Sequence, residues 1–258
     1  MPLGQRLLLS IPSFLLGLII VGGAVILSIA GLLIVHRFVP HHKLKLHNDV
    51  TGPIFGTLGA IYAVLLAFAV IIVWQSFDKS SLNVEKEANC LAALYRDSET
   101  FSQEFKQKVR SSVKDYAQAV INEEWKTIVR GEASPRVEKI LENLWFLYGS
   151  YLPKTETEKV FFAESVRKLN ELGELRTSRL MDSRTSIHPL LWFVLIFGGI
   201  ITIIFTFFFG AENLKAQIVM ATLLAILISL ILFTILLLDF PFSGGISISA
   251  DAFKQVFM

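Results

Sequence analysis

Four long stretches of the chain carry no Asp, Glu, Lys or Arg, and they constrain the fold more than any other feature. They cover residues 7–35, 53–77, 189–210 and 216–238. A helix needs about 20 apolar residues to cross the hydrocarbon core of a bilayer, and each stretch is long enough. The whole chain, with 53% hydrophobic and 18% charged residues, is also too apolar for an ordinary soluble protein. We therefore predict a polytopic membrane protein with four transmembrane helices.

The first stretch has some features of a signal peptide. It follows Arg6, and the small residues Ser28 and Ala30, two positions apart, are typical of a cleavage site. Its uncharged length, however, far exceeds the apolar core of a signal peptide. We therefore expect this stretch to remain in the protein as the first span.

One large polar segment, residues 78–188, separates the second span from the third. It holds 18 of the 24 basic residues and 18 of the 22 acidic ones, so its formal net charge is zero. Its carboxylates are interspersed with Lys and Arg at helical spacing, which is typical of solvated helix faces. This composition predicts a soluble domain, and without excess positive charge we expect no nucleic-acid partner.

The domain boundaries follow from this pattern. We predict transmembrane helices 1 and 2 in residues 1–77, the soluble domain in 78–188, transmembrane helices 3 and 4 in 189–238, and a C-terminal tail in 239–258. Both termini and the soluble domain then share one side of the membrane. More Lys and Arg residues flank the membrane on that side than on the other, which favours a cytoplasmic location for the domain.

The soluble domain is predicted to be helical throughout. No Gly or Pro stands between Gly59 and Gly131, so the second span is expected to continue as one rod to about Arg96. After a polar turn, Thr100 and Gln103 have the spacing of a capping box. Further helix starts are predicted at Ser134-Pro135 and at the capping box of Thr155 with Glu158, and the last of these helices is expected to run toward Pro189. No segment has the alternation of a hairpin, so the predicted fold class is all-α.

Groups that could perform catalysis are missing from the pattern. The spans contain no charged side chain that could bind a coupling ion or relay a proton, which argues against a pump or an ion-coupled transporter. The soluble segment has no phosphate-binding loop and no metalloprotease or triad motif. The lone Cys90 cannot form an intrachain disulfide. We therefore predict that the protein is not an enzyme and has no cofactor.

Four histidines, His36, His41, His42 and His47, lie in the short loop after the first span. Imidazole groups bind transition metals and titrate near neutral pH, so a metal or pH-sensing site is one interpretation. Their spacing matches no known metal-binding template, and only Asp49 supplies a nearby carboxylate. We expect an interfacial loop that contacts lipid headgroups, and no metal site.

The second span has two distinct faces. Small residues on one face allow close helix packing, and they are Gly52, Gly56, Gly59, Ala63 and Ala67. Apolar residues at steps of three and four form a ridge on another face, and they include Leu58, Ile61, Leu65, Phe68 and Ile72. Around the axis of an oligomer such a ridge could form a constriction that gates by dewetting. Ordinary helix packing or lipid contact explains both faces as well, and periodicity alone favours that simpler interpretation.

Several segments together resemble the bacterial bestrophin-like domain family. They are HNDVTG at 47–52, LGAIYAVLLAF at 58–68, WQSFD at 74–78, Glu85 with Glu87, LYR at 94–96, Glu124-Trp125, Arg176 with Arg179, Pro189 with Trp192, Gly198-Gly199, Phe209-Gly210, and DFPF at 239–242 with Gly244. The resemblance extends over nearly the whole chain. It also implies a more distant kinship to bestrophin anion channels, which are pentamers with the second span at the pore.

The resemblance implies a neck on the second span. Its positions would be Ala60, Val64 and Phe68, or, if the helix is rotated, Ile61, Leu65 and Phe68. The acidic cluster of the calcium clasp in animal bestrophins is missing, so calcium gating is not carried over. The implied function is a homo-oligomeric ion channel for small inorganic ions, in the bacterial inner membrane and in contact with lipid. The kinship to anion channels suggests anions as the permeant ions. The alternative is a non-conducting membrane scaffold or sensor whose helical domain docks a partner.

Overall fold

The computed structural model describes residues 2–39, 48–210 and 213–256. These residues form helices and connecting turns and contain no strand, which confirms the all-α prediction. The α-helices are α1 (Leu3–Ser10), α2 (Ser13–Phe38), α3 (Asn48–Asp97), α4 (Gln103–Ala119), α5 (Trp125–Ile128), α6 (Pro135–Gly149), α7 (Glu156–Asp182), α8 (Pro189–Thr206), α9 (Leu214–Leu238) and α10 (Asp251–Gln255). A 3₁₀ turn covers Ser98–Thr100, and a π-helical segment covers Val120–Glu124.

Four of the helices are long and apolar enough to span a membrane. They are α2, α3, α8 and α9, in agreement with the four predicted spans. The first span begins later than expected, however, because Pro12 separates α1 from α2. Proline has no backbone N–H to continue a helical hydrogen-bond ladder, so the chain breaks there and α2 starts afresh at Ser13.

The chain divides into two compact units by its internal contacts. The membrane unit contains residues 2–76 and 186–239, and the helical domain contains residues 77–185 and 240–256. The predicted C-terminal tail, residues 239–258, is divided between the units, because Asp239 belongs to the membrane unit and residues 240–256 belong to the helical domain. Aromatic side chains explain this placement, since Phe242 and Phe253 lie in the apolar core of that domain.

Helix α3 is one continuous helix of 50 residues, as predicted from the lack of Gly and Pro. At 1.5 Å per residue its length is about 75 Å. The capping box predicted at Thr100 and Gln103 is wrong. Instead, Ser102 occupies the N-cap of α4, and the Thr100 hydroxyl donates a hydrogen bond to the backbone carbonyl of Asp97, at 2.8 Å. The Thr100 side chain therefore closes the preceding 3₁₀ turn.

The other predicted helix starts agree better with the structure. Ser134 is the N-cap of α6, and Pro135 is its first residue. At α7 the Thr155 hydroxyl accepts a hydrogen bond from the Glu158 amide at 3.1 Å. The helix ends at Asp182, so it does not continue into α8, whose N-cap is His188.

Within the membrane unit, α2 packs most extensively against α9. Two glycines of α2 permit close approach of aromatic rings. A Cβ atom on Gly31 would lie 2.6 Å from the Phe207 ring, and one on Gly17 would lie 2.8 Å from the Phe233 ring. Leu32, Phe207 and Ala221 form a small buried core nearby. Small residues in α2 thus allow contacts that side chains would block.

The core of the helical domain contains the C-terminal part of α3 together with α4, α6 and α7. The C-terminal segment is attached by two side-chain hydrogen bonds as well as by its phenylalanines. The Trp125 indole donates to the Ile248 carbonyl at 3.3 Å, and the Ser243 hydroxyl donates to the Val129 carbonyl at 3.2 Å. Three of the loop histidines, His41, His42 and His47, lie outside the described residues.

Candidate pore-lining helix and buried charge network

The membrane part of α3 buries one face against its own unit. Tyr62, Leu66, Ala69 and Val73 repeat at steps of four, three and four residues, and each is at most 6% exposed. This spacing is that of a single helix face. The face fixes which side of α3 points away from the rest of the chain.

Tyr62 makes the most specific contact of that buried face. Its hydroxyl donates a hydrogen bond to the Leu195 carbonyl of α8 at 2.8 Å. The Tyr62 ring lies over two glycines of α8, since a Cβ atom on Gly198 or Gly199 would lie 2.8 Å from the side chain. Any larger residue at Gly198 would displace the ring. Both glycines therefore permit the α3–α8 contact.

The predicted neck residues are all exposed, and Ala60, Val64 and Phe68 lie on the side of α3 opposite the buried face. Val64 is 54% exposed and Phe68 is 61% exposed, and Ala60 is exposed as well. The rotated positions Ile61 and Leu65 are 60% and 36% exposed. None of the five packs into the core of the single chain. A large apolar surface is thus left for lipid or for another protein.

The predicted packing face is open too. A Cβ atom added at Gly52, Gly56 or Gly59 would meet no heavy atom within 4 Å, and Ala63 and Ala67 are exposed. Within the described part of the chain, no other helix uses this small-residue face. Whether it contacts a second copy therefore stays a prediction.

An apolar groove of about 550 Å³ runs beside the exposed face. Helix α3 contributes Ile61 and Leu65 to its wall, and α8 contributes Val194 and Ile201. At the far end of α8, the Asn48 side chain accepts from the Gly210 amide and donates to the Gly210 carbonyl, both at 3.0 Å. The start of α3 is therefore attached by a paired hydrogen bond to Gly210, which lies in the segment after α8.

Asp239, at the end of α9, holds the start of α8. Its carboxylate accepts hydrogen bonds from the Ser186 hydroxyl at 2.5 Å, the Ile187 amide at 2.8 Å and the Trp192 indole at 3.2 Å. The carboxylate is almost fully buried. It therefore fixes the segment that leads into α8.

The helical domain contains a buried charge network that the sequence analysis missed. Arg179 donates to both carboxylate oxygens of Glu87, at 2.7 and 2.9 Å, and to Glu124 at 2.7 Å. Arg176 donates to the other oxygen of Glu124 at 2.7 Å. All four charged groups are at most 6% exposed. The expectation that these carboxylates lie on solvated faces is wrong for Glu87 and Glu124, because two arginines neutralise them in the interior.

Neighbouring groups complete the network. Tyr116 donates from its hydroxyl to Glu87 at 2.8 Å, and the Ser134 amide donates to Glu124 at 3.0 Å. Glu124 is the last residue of the π-helical segment, and such segments often occur at functional sites. The Arg179 guanidinium also lies over the rings of Trp125 and Phe253, at 5.2 and 5.9 Å. Glu87, Glu124, Arg176 and Arg179 all belong to the segments that carry the family resemblance, which was the sequence signal for this cluster.

The network changes the acidity of its members. Burial alone would raise the pKa of Glu124, but the hydrogen bond and charge of Arg176 and the charge of Arg179 hold that pKa below its usual range. Burial would lower the pKa of Arg179, yet the adjacent carboxylate of Glu87 raises it. Both ions are therefore kept charged at neutral pH. Within the described residues, no group of three or more His, Cys, Asp or Glu side chains could hold a metal ion.

A family comparison assigns this architecture. The model of the bestrophin-like domain matches residues 22–253, which is most of the chain. The chain belongs to the bestrophin-like family. The characterised members of this family are ion channels, and it is not a family of enzymes. No curated protein sequence matches the chain.

Solved structures agree at the level of the fold. A point mutant of a bacterial bestrophin homolog from Klebsiella pneumoniae has a TM-score of 0.70 at 12% identity, covering 92% of this chain and 96% of that chain. A structure of the bacterial bestrophin homolog from the same organism, phased with zinc, has a TM-score of 0.68 at 12% identity, covering 90% of this chain and 94% of that chain. The chain is therefore a membrane protein with the bestrophin fold.

Proposed function

We propose that this protein is a homo-oligomeric ion channel whose pore is lined by α3. Its neck is formed by Val64 and Phe68 with Ala60, and the flanking Ile61 and Leu65 support the neck wall. The observation that carries the proposal is the exposure of all five apolar residues, with Ala60, Val64 and Phe68 on the side of α3 opposite the face that it buries in its own unit. Apolar rings around an axis form constrictions that gate by dewetting.

The same surface supports an oligomer. A ring of five copies, as the bestrophin resemblance implies, brings the exposed faces of α3 together at the axis. The small residues Gly56, Ala63 and Ala67 let neighbouring helices approach closely, and lipid covers the outer surface. We place the protein in the bacterial inner membrane with the helical domain and both termini in the cytoplasm, and anions are the proposed permeant ions.

The test is an ion-flux assay on the purified protein in liposomes. Replacing Phe68→Ala removes the largest ring of the neck and should raise ion flux, because a wider, less apolar constriction wets more easily. Phe14→Ala is the matched control, since Phe14 is 82% exposed on α2, outside the neck. Flux through this control should equal that of the unmodified protein.

Reversal potentials in a chloride gradient then identify the permeant ion. Unchanged flux in both Phe68→Ala and Val64→Ala would contradict the neck assignment. A protein that conducts no ion in any variant would contradict the channel itself.

A further inference from the structure

The part of α3 in the helical domain carries opposite charges on two sides of its exposed surface. Asp78 and Glu85 are seven residues apart, and Lys79 and Lys86 repeat at the same interval one residue later. All four side chains are exposed, and none forms an ion pair within the described part of the chain. Residues seven apart lie on one helix face, so the helix has an acidic flank and a basic flank.

The two flanks diverge by a defined angle. Consecutive residues of a helix with 3.6 residues per turn are separated by about 100°. The directions from one subunit of a closed ring of five to its two neighbours differ by about 108°. Leu82 and Asn89, both exposed, lie between the flanks. In a ring of parallel α3 helices with these two residues toward the axis, the acidic flank would face one neighbour and the basic flank the other.

A groove adjoins the acidic flank only. It has a volume of about 710 Å³ and lies between α3 and the C-terminal segment of the same domain. Glu85 and Asn89 contribute to its α3 side, and Ser247 and Asp251 contribute to its other side. Asp251 is already paired with Lys254 at 2.7 Å. Glu85 is thus the unpaired charge at the rim of a concave surface.

We propose that this groove and the acidic flank receive the basic flank of a second copy of this chain. Lys86 of one copy pairs with Glu85 of the next, and Lys79 pairs with Asp78. The partners differ by one residue in height, or about 1.5 Å along parallel helices, which long lysine side chains easily span. Charge pairs of this kind set register and neighbour choice in helical assemblies. The proposal rests on the homo-oligomer of the proposed function.

Charge reversal tests the pairing. Either Lys86→Glu or Glu85→Lys places like charges across every subunit boundary, which costs assembly free energy. We expect each single variant to raise the concentration of half-assembly about tenfold or more, a free-energy change of about 1.4 kcal/mol per decade. The double variant with both changes restores opposite charges and should assemble like the unmodified protein. Lys154→Glu, an exposed reversal elsewhere in the domain, is the control.

Mass photometry in nanodiscs measures the assembly state, and disulfide crosslinking tests the contact between the two flanks. In a Cys90→Ser background, Glu85→Cys with Lys86→Cys should give a ladder of crosslinked copies on oxidation, ending at the subunit number. Each cysteine alone should give no ladder.

The outcomes separate the two proposals. An unmodified protein that stays monomeric overturns both the channel and the pairing. An oligomer whose assembly is unchanged by either single charge reversal and that gives no ladder overturns the pairing alone. A crosslink to a different protein, with none between copies, also overturns it.

Discussion

Arg179 contacts four elements of the helical domain from one position on α7. It pairs with Glu87 on α3 and with Glu124 at the end of the π-helical segment, and it lies over Trp125 on α5 and Phe253 on α10. The guanidinium is fully buried. A charge in such a place is tolerated only because its partners are also charged and hydrogen-bonded. Arg179 therefore connects the C-terminal part of α3 to the rest of the domain.

Removing this charge should destabilise the domain strongly. Arg179→Met leaves Glu87 as an uncompensated buried carboxylate, and breaking a buried pair in this way typically costs about 3–5 kcal/mol. Thermal unfolding followed by circular dichroism measures the effect. Arg167→Met is the control on the same helix, because the Arg167–Glu164 pair is exposed and should change stability little. Equal melting temperatures for the two variants would show that the buried network is not stabilising.

Glu124 gives the domain a defined acid sensitivity. Its pKa is lower in the folded domain than its ordinary value of 4.5, so its contribution to stability is present above that value and disappears as pH falls through the folded pKa. Glu124→Gln should therefore be less stable than the unmodified protein at pH 7. The difference should shrink below about pH 4.5, because protonation then removes the same charge from Glu124. Urea unfolding at several pH values tests this, and a constant difference would contradict it.

At the scale of elements, α3 shows what local sequence determines. The lack of Gly and Pro allowed its continuous helix to be predicted, because no residue interrupts the hydrogen-bond ladder. The π-helical segment 120–124 has no comparable signal, and its last residue, Glu124, is bound by two arginines from a helix distant in the sequence. Contacts between residues far apart in the chain likewise bring residues 240–256 into the domain. Periodicity identified a candidate pore face on α3. The same periodicity occurs in a helix face that contacts lipid, so the pattern does not distinguish the two.

The α3–α8 contact depends on the absence of a side chain at Gly198. Gly198→Ala should lower the melting temperature, because its Cβ would displace the Tyr62 ring and break the hydrogen bond to the Leu195 carbonyl. Gly22→Ala is the matched control in a transmembrane helix, since a Cβ there meets no atom within 4 Å. Because alanine has a higher helix propensity than glycine, the stability of this control should be unchanged or slightly higher. A Gly198→Ala variant as stable as the control would contradict the close packing.

Asp239 makes a second prediction at this scale. Asp239→Ala removes the acceptor of three hydrogen bonds that hold the start of α8. Hydrogen bonds to charged groups contribute about 1.5–3 kcal/mol each, so the variant should be clearly less stable. Trp192→Phe removes only one of the three donors and should lose less stability than Asp239→Ala. Melting temperatures in detergent measure both, and the reverse order would contradict the assigned role.

At the scale of the whole molecule, the proposed topology places the helical domain in the cytoplasm. A Lys154→Cys variant in a Cys90→Ser background should react with a membrane-impermeant maleimide only after cells are permeabilised. Lys154 is exposed, so its accessibility depends on the side of the membrane rather than on burial. Labelling of intact cells would place the domain outside.

The measurement that tests the channel most directly is electron cryo-microscopy of the protein in nanodiscs. We predict a closed ring of five copies with α3 at the axis and with Val64 and Phe68 facing the central pathway. A monomer, a dimer, or a ring in which these two residues face lipid would contradict the channel.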